Sequence, residues 1–398
     1  QAERWREEEM RGQRLRVFTL NAWGVPVVQD LDARMKTLAM WLEKNPKNVD
    51  VVALQEVFRE KDVELLLAHA RRGPLRYAHV ASAGPGILWT NSPGCMIFSR
   101  YPIEDTAYHR YGVNGKPQRL HHLDWWVGKG VVLARLAGTP VGPVDVYVTH
   151  TVAAYVAWNR EGESDEALAR RDEYAAQRVL QAYECVQWIQ LTRREHAGCV
   201  LLGDLNAPPT ALSTQVLQQW GRFQDVHSVD PQPTYLPESS KYHHAGYDIS
   251  ARLDYIFAAQ GQWMTTESWI SFAHPDEISD HVGVGAELER LAHDEVQNTS
   301  PEFSEMRTRV ELMLRMGLVE SWHARWLHRA WWIGSCVLLL LLRATSVSAG
   351  PWLEWLLLSL AWSHFCIACT ACNDDLSAYM RTLQHLLLPE SARTSIIA

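Results

Sequence analysis

Composition changes sharply near residue 290, and the change divides the chain between two solvents. Upstream, short β-rich apolar runs alternate with amphipathic helical stretches. Downstream, a polar segment from about Pro301 to Arg329 leads into two long apolar runs, Ala330–Leu342 and Trp352–Cys372. A bilayer span needs about 20 mostly apolar residues. The second run has that length, although Glu354 and His364 interrupt it. The first reaches it only if Arg343 snorkels and the Ser/Thr segment after it is included. Gly350-Pro351 between them is a turn signal. The pattern predicts a two-helix membrane hairpin over residues 330–373, a polar helical linker at 291–329 and a polar tail at 374–398. Arg325 and Arg329 precede the first run and place its start in the cytosol. The expected location is an internal membrane, the endoplasmic reticulum, with the upstream domain facing the cytosol.

The upstream part carries strand signals at Leu15–Leu20, Val49–Leu54, Gly94–Phe98, Gly130–Leu136, Val144–Thr149, Cys199–Leu202, Arg252–Phe257 and Val282–Leu288. Helical patterns fall at Asp30–Glu43, Lys61–Ala70 and Arg171–Arg194. Strands interleaved with helices over residues 14–290 predict an α/β domain of two packed sheets. The seven cysteines are scattered and odd in number, a poor disulfide framework, which points to a reducing compartment. Gln1 to Arg16 has no apolar core, so no secretory signal is expected there. A formal net charge of −8 argues against a nucleic-acid partner.

Polar residues cluster where the apolar strands stop. Asn21 follows Val17–Leu20, Glu56 follows Val51–Gln55, His150 follows Val146–Thr149, and Asp204 and Asn206 follow Val200–Gly203. Asp280 and His281 immediately precede a strand. Any one of these is ordinary turn or cap chemistry. Their joint occurrence is the signal, because loops at the ends of rigid strands are where sites are built.

At these residues the chain resembles a family. Asn21-Ala-Trp-Gly-Val-Pro, Gln55-Glu56-Val57, Ser99-Arg-Tyr-Pro-Ile103, Gly128-Lys129-Gly130, Thr149-His150, Gly203-Asp204-Leu205-Asn206, Arg252-Leu-Asp254-Tyr-Ile256 and Ser279-Asp280-His281 occur in that order. This pattern is similar to the endonuclease/exonuclease/phosphatase (DNase I-like) superfamily, and within it to the neutral sphingomyelinase branch with its C-terminal membrane helices. The resemblance implies a four-layer α/β/β/α sandwich followed by the membrane hairpin. It also implies Mg²⁺-dependent, phospholipase C-type hydrolysis of sphingomyelin or a related phosphosphingolipid, giving ceramide and a phosphorylated headgroup.

Such hydrolysis needs an attacking water, neutralisation of phosphoryl charge and help for the leaving alkoxide. A hard cation with oxygen ligands serves the second need, Mg²⁺ first and Mn²⁺ as the substitute. Glu56 is the leading ligand candidate, with Asn21 and Asp280 beside it. No His/Cys cluster has zinc spacing, which points away from zinc. His281 is the candidate general base, since its ordinary pKa suits proton transfer near neutrality. The resemblance makes Asp254, or else Asp280, the carboxylate that orients it. Asp204 would orient the water, Asn206 would hold the water or a phosphoryl oxygen, and His150 would donate to one. Lys129, between two glycines, would approach the phosphate.

One position departs from the animal branch, which reads Thr-His-x-His-Ala where this chain has Thr149-His150-Thr151-Val152-Ala153. Three readings compete with sphingomyelin hydrolysis. One is cleavage of a lysophospholipid or an inositol phosphosphingolipid by the same chemistry. A metal-dependent endonuclease of the same fold is the second. The third, a catalytically dead binding module, conflicts with every core position being filled.

Overall fold

The computed structural model describes residues 14–81, 92–119, 121–155, 164, 167, 170–228, 232–235, 242, 250–273, 275–291, 303–344 and 351–388. Trp89 and most of the acidic stretch 158–171 lie outside the described residues.

Two six-stranded sheets face each other. The first is built from β1 (Arg14–Gly24), β2 (Val51–Val57), β3 (Tyr77–Val80), β4 (Met96–Ser99), β11 (Trp263–Ser271) and β12 (Gly283–Arg290), in the order β11-β12-β1-β2-β4-β3. The second contains β5 (Ile103–Arg110), β6 (Gly130–Leu136), β7 (Val144–His150), β8 (Gly198–Asp204), β9 (Phe223–Asp225) and β10 (Asp254–Ala259), ordered β5-β6-β7-β8-β10-β9. All eight strands expected from the sequence are present. The four others, β3, β5, β9 and β11, are the sheet edges, where no second neighbour demands an apolar run.

Helices cover the outer faces. Helices α1 (Leu31–Lys44) and α2 (Glu60–Arg72) bury Leu31, Met35, Leu38, Leu42 and Leu66 with Phe18, Val52, Leu54 and Phe98 of the first sheet. On the second sheet lie α3 (Ala175–Thr192) and the short α4 (Leu212–Gln219), which the sequence pattern did not announce. Val131, Leu133, Val146, Val148 and Leu201 join the same core as Leu180 and Val186 of α3. The expected two-sheet α/β sandwich is the observed architecture.

The C-terminal part differs from the expectation. The stretch expected as a polar linker and the first apolar run form one helix, α5 (Phe303–Ala344). The second run is α6 (Pro351–Cys369), and the expected polar tail is largely a third helix, α7 (Ala371–Leu387). Contacts of Arg307 with Leu386, Gly317 with Tyr379, His328 with His364 and Arg343 with Glu354 show α5 running antiparallel to α6 and α7. The half nearer the sandwich is amphipathic. Met306, Val310, Met313 and Leu314, with Tyr379, Leu383 and Leu386, belong to the core that includes α3 and the second sheet. These segments are therefore part of the sandwich core, because their polar residues occupy only one helical face.

The other half is apolar on its outside. Leu340, Trp352 and Trp355 are each 70% exposed, too large a surface for an aqueous face. Among the described residues one helical stretch, Trp352–Leu387, which joins α6 and α7, contains a window long and apolar enough to cross a membrane. The run Ala330–Leu342 is helical beside it but does not qualify by itself, so the expected pair of spans reduces to one qualifying helix with an apolar partner.

Candidate active site

Strand direction gathers the polar residues at one end of the sandwich. β1 and β2 are parallel, with Asn21 beside Gln55, and β12 runs antiparallel to β1, so the start of β12 lies with the end of β1. In the other sheet β7 and β8 are parallel, with His150 beside Asp204. β6 and β10 are antiparallel to them and place Gly130 opposite His150 and Asp254 opposite Asp204. Asn21, Glu56, Lys129, His150, Asp204, Asp254, Asp280 and His281 all reach the same rim through register.

Local backbone conformations make the approach close. Gly203 has φ 142°, and a Cβ there would fall 1.9 Å from the Thr149 carbonyl oxygen. Only glycine lets β8 press so near β7 just before Asp204. Glu56 and Asn206 are non-glycine residues at φ 60° and 45°. Left-handed backbone costs a residue such as Glu56 about 1–3 kcal/mol and persists only where the surroundings hold it.

His281 Nδ1 lies 2.7 Å from Asp254 Oδ2, forming a buried dyad. The Thr234 hydroxyl accepts the backbone N–H of Asp254, and Tyr235 packs its ring on His281. Asp254 Oδ1 is buried with no hydrogen-bond partner among the described residues. Burial alone would lower the His281 pKa, but the charge and hydrogen bond of Asp254, with Asp204 and Asp280, push it up to about 10. Asp280, the other carboxylate considered for orienting this ring, instead lies among Glu56, Arg34 and Ser279, and burial raises its pKa to about 6.

Opposite the dyad, Asn21 Nδ2 donates to Asp204 Oδ2 at 2.9 Å and to Glu56 Oε1 at 3.2 Å. Asn21 Oδ1 accepts the Trp23 N–H at 2.9 Å. The amide nitrogen therefore faces the carboxylates, which makes Asn21 a partner of the ligand candidates and turns its oxygen away from them. Burial and the neighbouring Asp254 raise the Asp204 pKa to about 6, and burial raises that of Glu56.

A third group completes the rim. Lys129 Nζ is buried, 2.7 Å from His150 Nε2 and 2.9 Å from Asp124 Oδ1. Asn206 Nδ2 lies 3.3 Å from the same imidazole nitrogen. Burial and the Lys129 charge hold the His150 pKa well below its ordinary value, so this ring is neutral. Its Nε2, facing two donors, acts as an acceptor here. Asn206 Nδ2 also donates to the Thr151 carbonyl at 3.0 Å.

Several residues that support the site were not expected. Asp124 accepts from Lys129 and from the Ala153 N–H at 2.7 Å. Arg34 of α1, almost wholly buried, donates to the carbonyls of Ala22, Trp23 and Ile278, tying the Asn21 turn to the Asp280-His281 loop. Gln181 of α3 accepts the Val152 N–H and donates to the Val113 carbonyl. An acid inside the Leu123–Val127 apolar stretch was the one readable signal for Asp124. Val152, at the departure from the animal pattern, is fully buried. Trp126 is partly exposed at the rim of the Lys129 loop.

Asp204, Asp254 and His281 place ligand atoms within 4.8 Å of one another and form a group able to hold a metal ion. Asp254 Oδ2 and His281 Nδ1 already share a hydrogen bond, whereas Asp204 and Glu56 face each other across Asn21. A buried, oxygen-rich donor set with one orphaned carboxylate oxygen fits a hard divalent cation.

Comparisons with known proteins bear on the family and the fold. Human sphingomyelin phosphodiesterase 2 is 30% identical over 295 residues, covering 69% of this chain and 64% of that protein. Inositol phosphosphingolipids phospholipase C from Saccharomyces cerevisiae is 30% identical over 173 residues, covering 44% of this chain and 33% of that one. The chain thus spans less than two thirds of the length of either relative. In fold it is similar to Staphylococcus aureus beta toxin with bound magnesium ions, with a TM-score of 0.50 at 19% identity over 68% of this chain and 98% of that one. Residues 18–281, which contain every residue of the rim, match the family model described as the endonuclease/exonuclease/phosphatase family, and the chain belongs to that family.

Proposed function

We propose that the chain is a membrane-associated, Mg²⁺-dependent hydrolase that cleaves a phosphosphingolipid on the lipid side of its phosphate. The carrying observation is the His281–Asp254 dyad facing Asp204 and Glu56 across one buried rim, with the Lys129 ammonium on its flank. The relatives' names, sphingomyelin phosphodiesterase and inositol phosphosphingolipids phospholipase C, support this substrate class. Sphingomyelin, giving ceramide and phosphocholine, is the leading substrate.

In this reading Glu56 and Asp204 hold the cation, with Asp280 adding charge behind Glu56. When bound, the cation neutralises phosphoryl charge and lowers the cost of the leaving alkoxide. His281 Nε2 removes the proton from the attacking water, and Asp254 fixes the ring and balances the imidazolium charge. Asp204 Oδ2, 3.9 Å from His281 Nε2, orients that water. Lys129 and Asn206 donate to phosphoryl oxygens as charge builds on them. His150 accepts from both donors and aims them. A neutral His281 is required for proton removal, and a cation held by Asp204 and Glu56 would offset the carboxylate charge that keeps the ring protonated and so lower its pKa.

The exposed apolar surface of α5 and α6 supports seating in a bilayer, and Arg325 and Arg329 below it support a cytosolic catalytic domain at the endoplasmic reticulum. The buried free thiols Cys95, Cys185 and Cys199 suit that reducing side.

The test is product analysis. The full chain in mixed micelles with Mg²⁺ is offered labelled sphingomyelin, inositol phosphosphingolipid, lysophosphatidylcholine and plasmid DNA. Ceramide release that EDTA and His281→Ala abolish is the expected result. DNA nicking without lipid turnover would overturn it in favour of a nuclease.

A further inference from the structure

A cavity of about 480 Å³ lies away from the rim, where the end of β5 meets α3 and α7. Each helix lines it with residues about one turn apart, Glu184, Trp188 and Leu191 on α3, and Arg381 and His385 on α7. β5 contributes His109 and Arg110. The volume falls within the range of about 300–1,000 Å³ usual for small-molecule sites.

Most of the polar wall is already committed. The Tyr183 hydroxyl lies 2.6 Å from His385 Nδ1 and joins α3 to α7. His109 stacks on Trp188, with ring centroids 5.9 Å apart and planes 19° from parallel. Glu184 is the one carboxylate among the described lining residues. It accepts the Gly112 N–H at 2.8 Å and lies 3.6 Å from His109 Nε2.

Arg110 and Arg381 are the groups left unanswered. Both are exposed, and neither makes an ion pair or a side-chain hydrogen bond among the described residues. Two guanidinium groups from separate elements thus line one cavity without a carboxylate to neutralise them, in a chain whose net charge is −8. Such a spot attracts anions, and the guanidinium fork matches phosphate oxygens in particular. Beside the arginines, the His109–Trp188 stack and Leu191 offer an apolar wall suited to a flat ring.

A bilayer headgroup does not reach this place. α6 and α7 form one continuous helical stretch, Trp352–Leu387. Arg381 lies 12 residues along it beyond Cys369, the end of α6, which is about 18 Å at the helical rise. The headgroup layer of one leaflet is only about 5–8 Å deep. The anion is therefore a soluble one. We propose that this cavity binds a soluble phosphate ester carrying a flat ring, of the mononucleotide class, with Arg110 and Arg381 on the phosphate and the ring against the Trp188 wall.

The test is calorimetric titration of the full chain in detergent micelles with adenosine 5′-monophosphate, in EDTA so that no cation draws phosphate to the rim. Saturable binding is expected, with a melting temperature that rises with ligand concentration. Arg110→Gln and Arg381→Gln should each weaken binding roughly ten- to hundredfold, the worth of one charge-assisted contact. Their unliganded melting temperatures and phosphodiester turnover should match wild type. Lys129→Met, at the rim, should leave binding unchanged. Adenosine and inorganic phosphate should each bind more weakly than the ester, because each fills only part of the site. Wild-type affinity in both arginine variants, inorganic phosphate binding as tightly as the ester, or no saturable binding overturns the proposal. Displacement of the ester by phosphatidylserine added to the micelles would also overturn it, in favour of a lipid headgroup.

Discussion

Asn21 Nδ2 donates at 2.9 Å to Asp204 Oδ2, so one amide joins the end of β1 in the first sheet to the end of β8 in the second. The same nitrogen reaches Glu56 at 3.2 Å. Two carboxylates, one from each sheet, are thus bridged by a single shared donor. Partners of this kind typically change metal affinity by about 10- to 100-fold when removed. Asn21→Ala should weaken Mg²⁺ binding by that order, measured by titration calorimetry, with the fold intact by circular dichroism.

The His281–Asp254 dyad gives a second expectation. His281→Ala should lower kcat by roughly 10²- to 10⁴-fold, the usual worth of a positioned general base. Asp254→Asn should fall in the same direction, because the ring loses both its orientation and its counter-charge. Substrate binding to each variant, read in an EDTA-free pull-down on substrate vesicles, should stay near wild type.

The pH dependence follows from the same charges. The folded pKa of His281, about 10, lies above its ordinary value of 6.5. Stability from this group is therefore fully present below about pH 6.5 and is lost as pH rises through about 10. In EDTA the wild-type protein should lose up to about 1.4 kcal/mol per pH unit from this one group across that window. His281→Asn should flatten the slope, as thermal melts between pH 6 and pH 10 would read. In the acid direction Asp204 and Asp280, both raised to about 6, take up protons as pH falls through 6. Mg²⁺ affinity should weaken there, because protonated carboxyls are poor ligands.

Truncation separates anchoring from folding. Removing residues 330–398 takes Tyr379, Leu383 and Leu386 out of the core and uncovers Met306, Val310 and Met313. Loss of each large buried side chain costs about 2–5 kcal/mol, so this truncation should unfold or aggregate by limited proteolysis and light scattering. Replacing the exposed Trp352, Trp355 and Trp362 with Gln should instead release the chain from vesicles and leave the catalytic domain's melting transition in place.

The alternation of apolar runs with Asn21, Glu56, His150, Asp204 and Asp280-His281 made both the two-sheet fold and most of the rim readable from sequence. Interior strands must be apolar on both faces, and polar residues at the ends of several of them together exceed what ordinary turn and cap chemistry asks for. The edge strands β3, β5, β9 and β11 were not readable, because a strand with one neighbour tolerates polar residues along its length. Asp124, Arg34 and Gln181 were equally hidden. Each is a buried polar side chain whose purpose is a hydrogen bond to a loop distant in sequence, and no local pattern encodes that. The same holds for residues 303–329 and 374–387, whose polar composition read as linker and tail. Only packing against α3 turned their narrow apolar stripes into core. Periodicity records what each segment would bury, and tertiary structure alone determines which distant segment it meets.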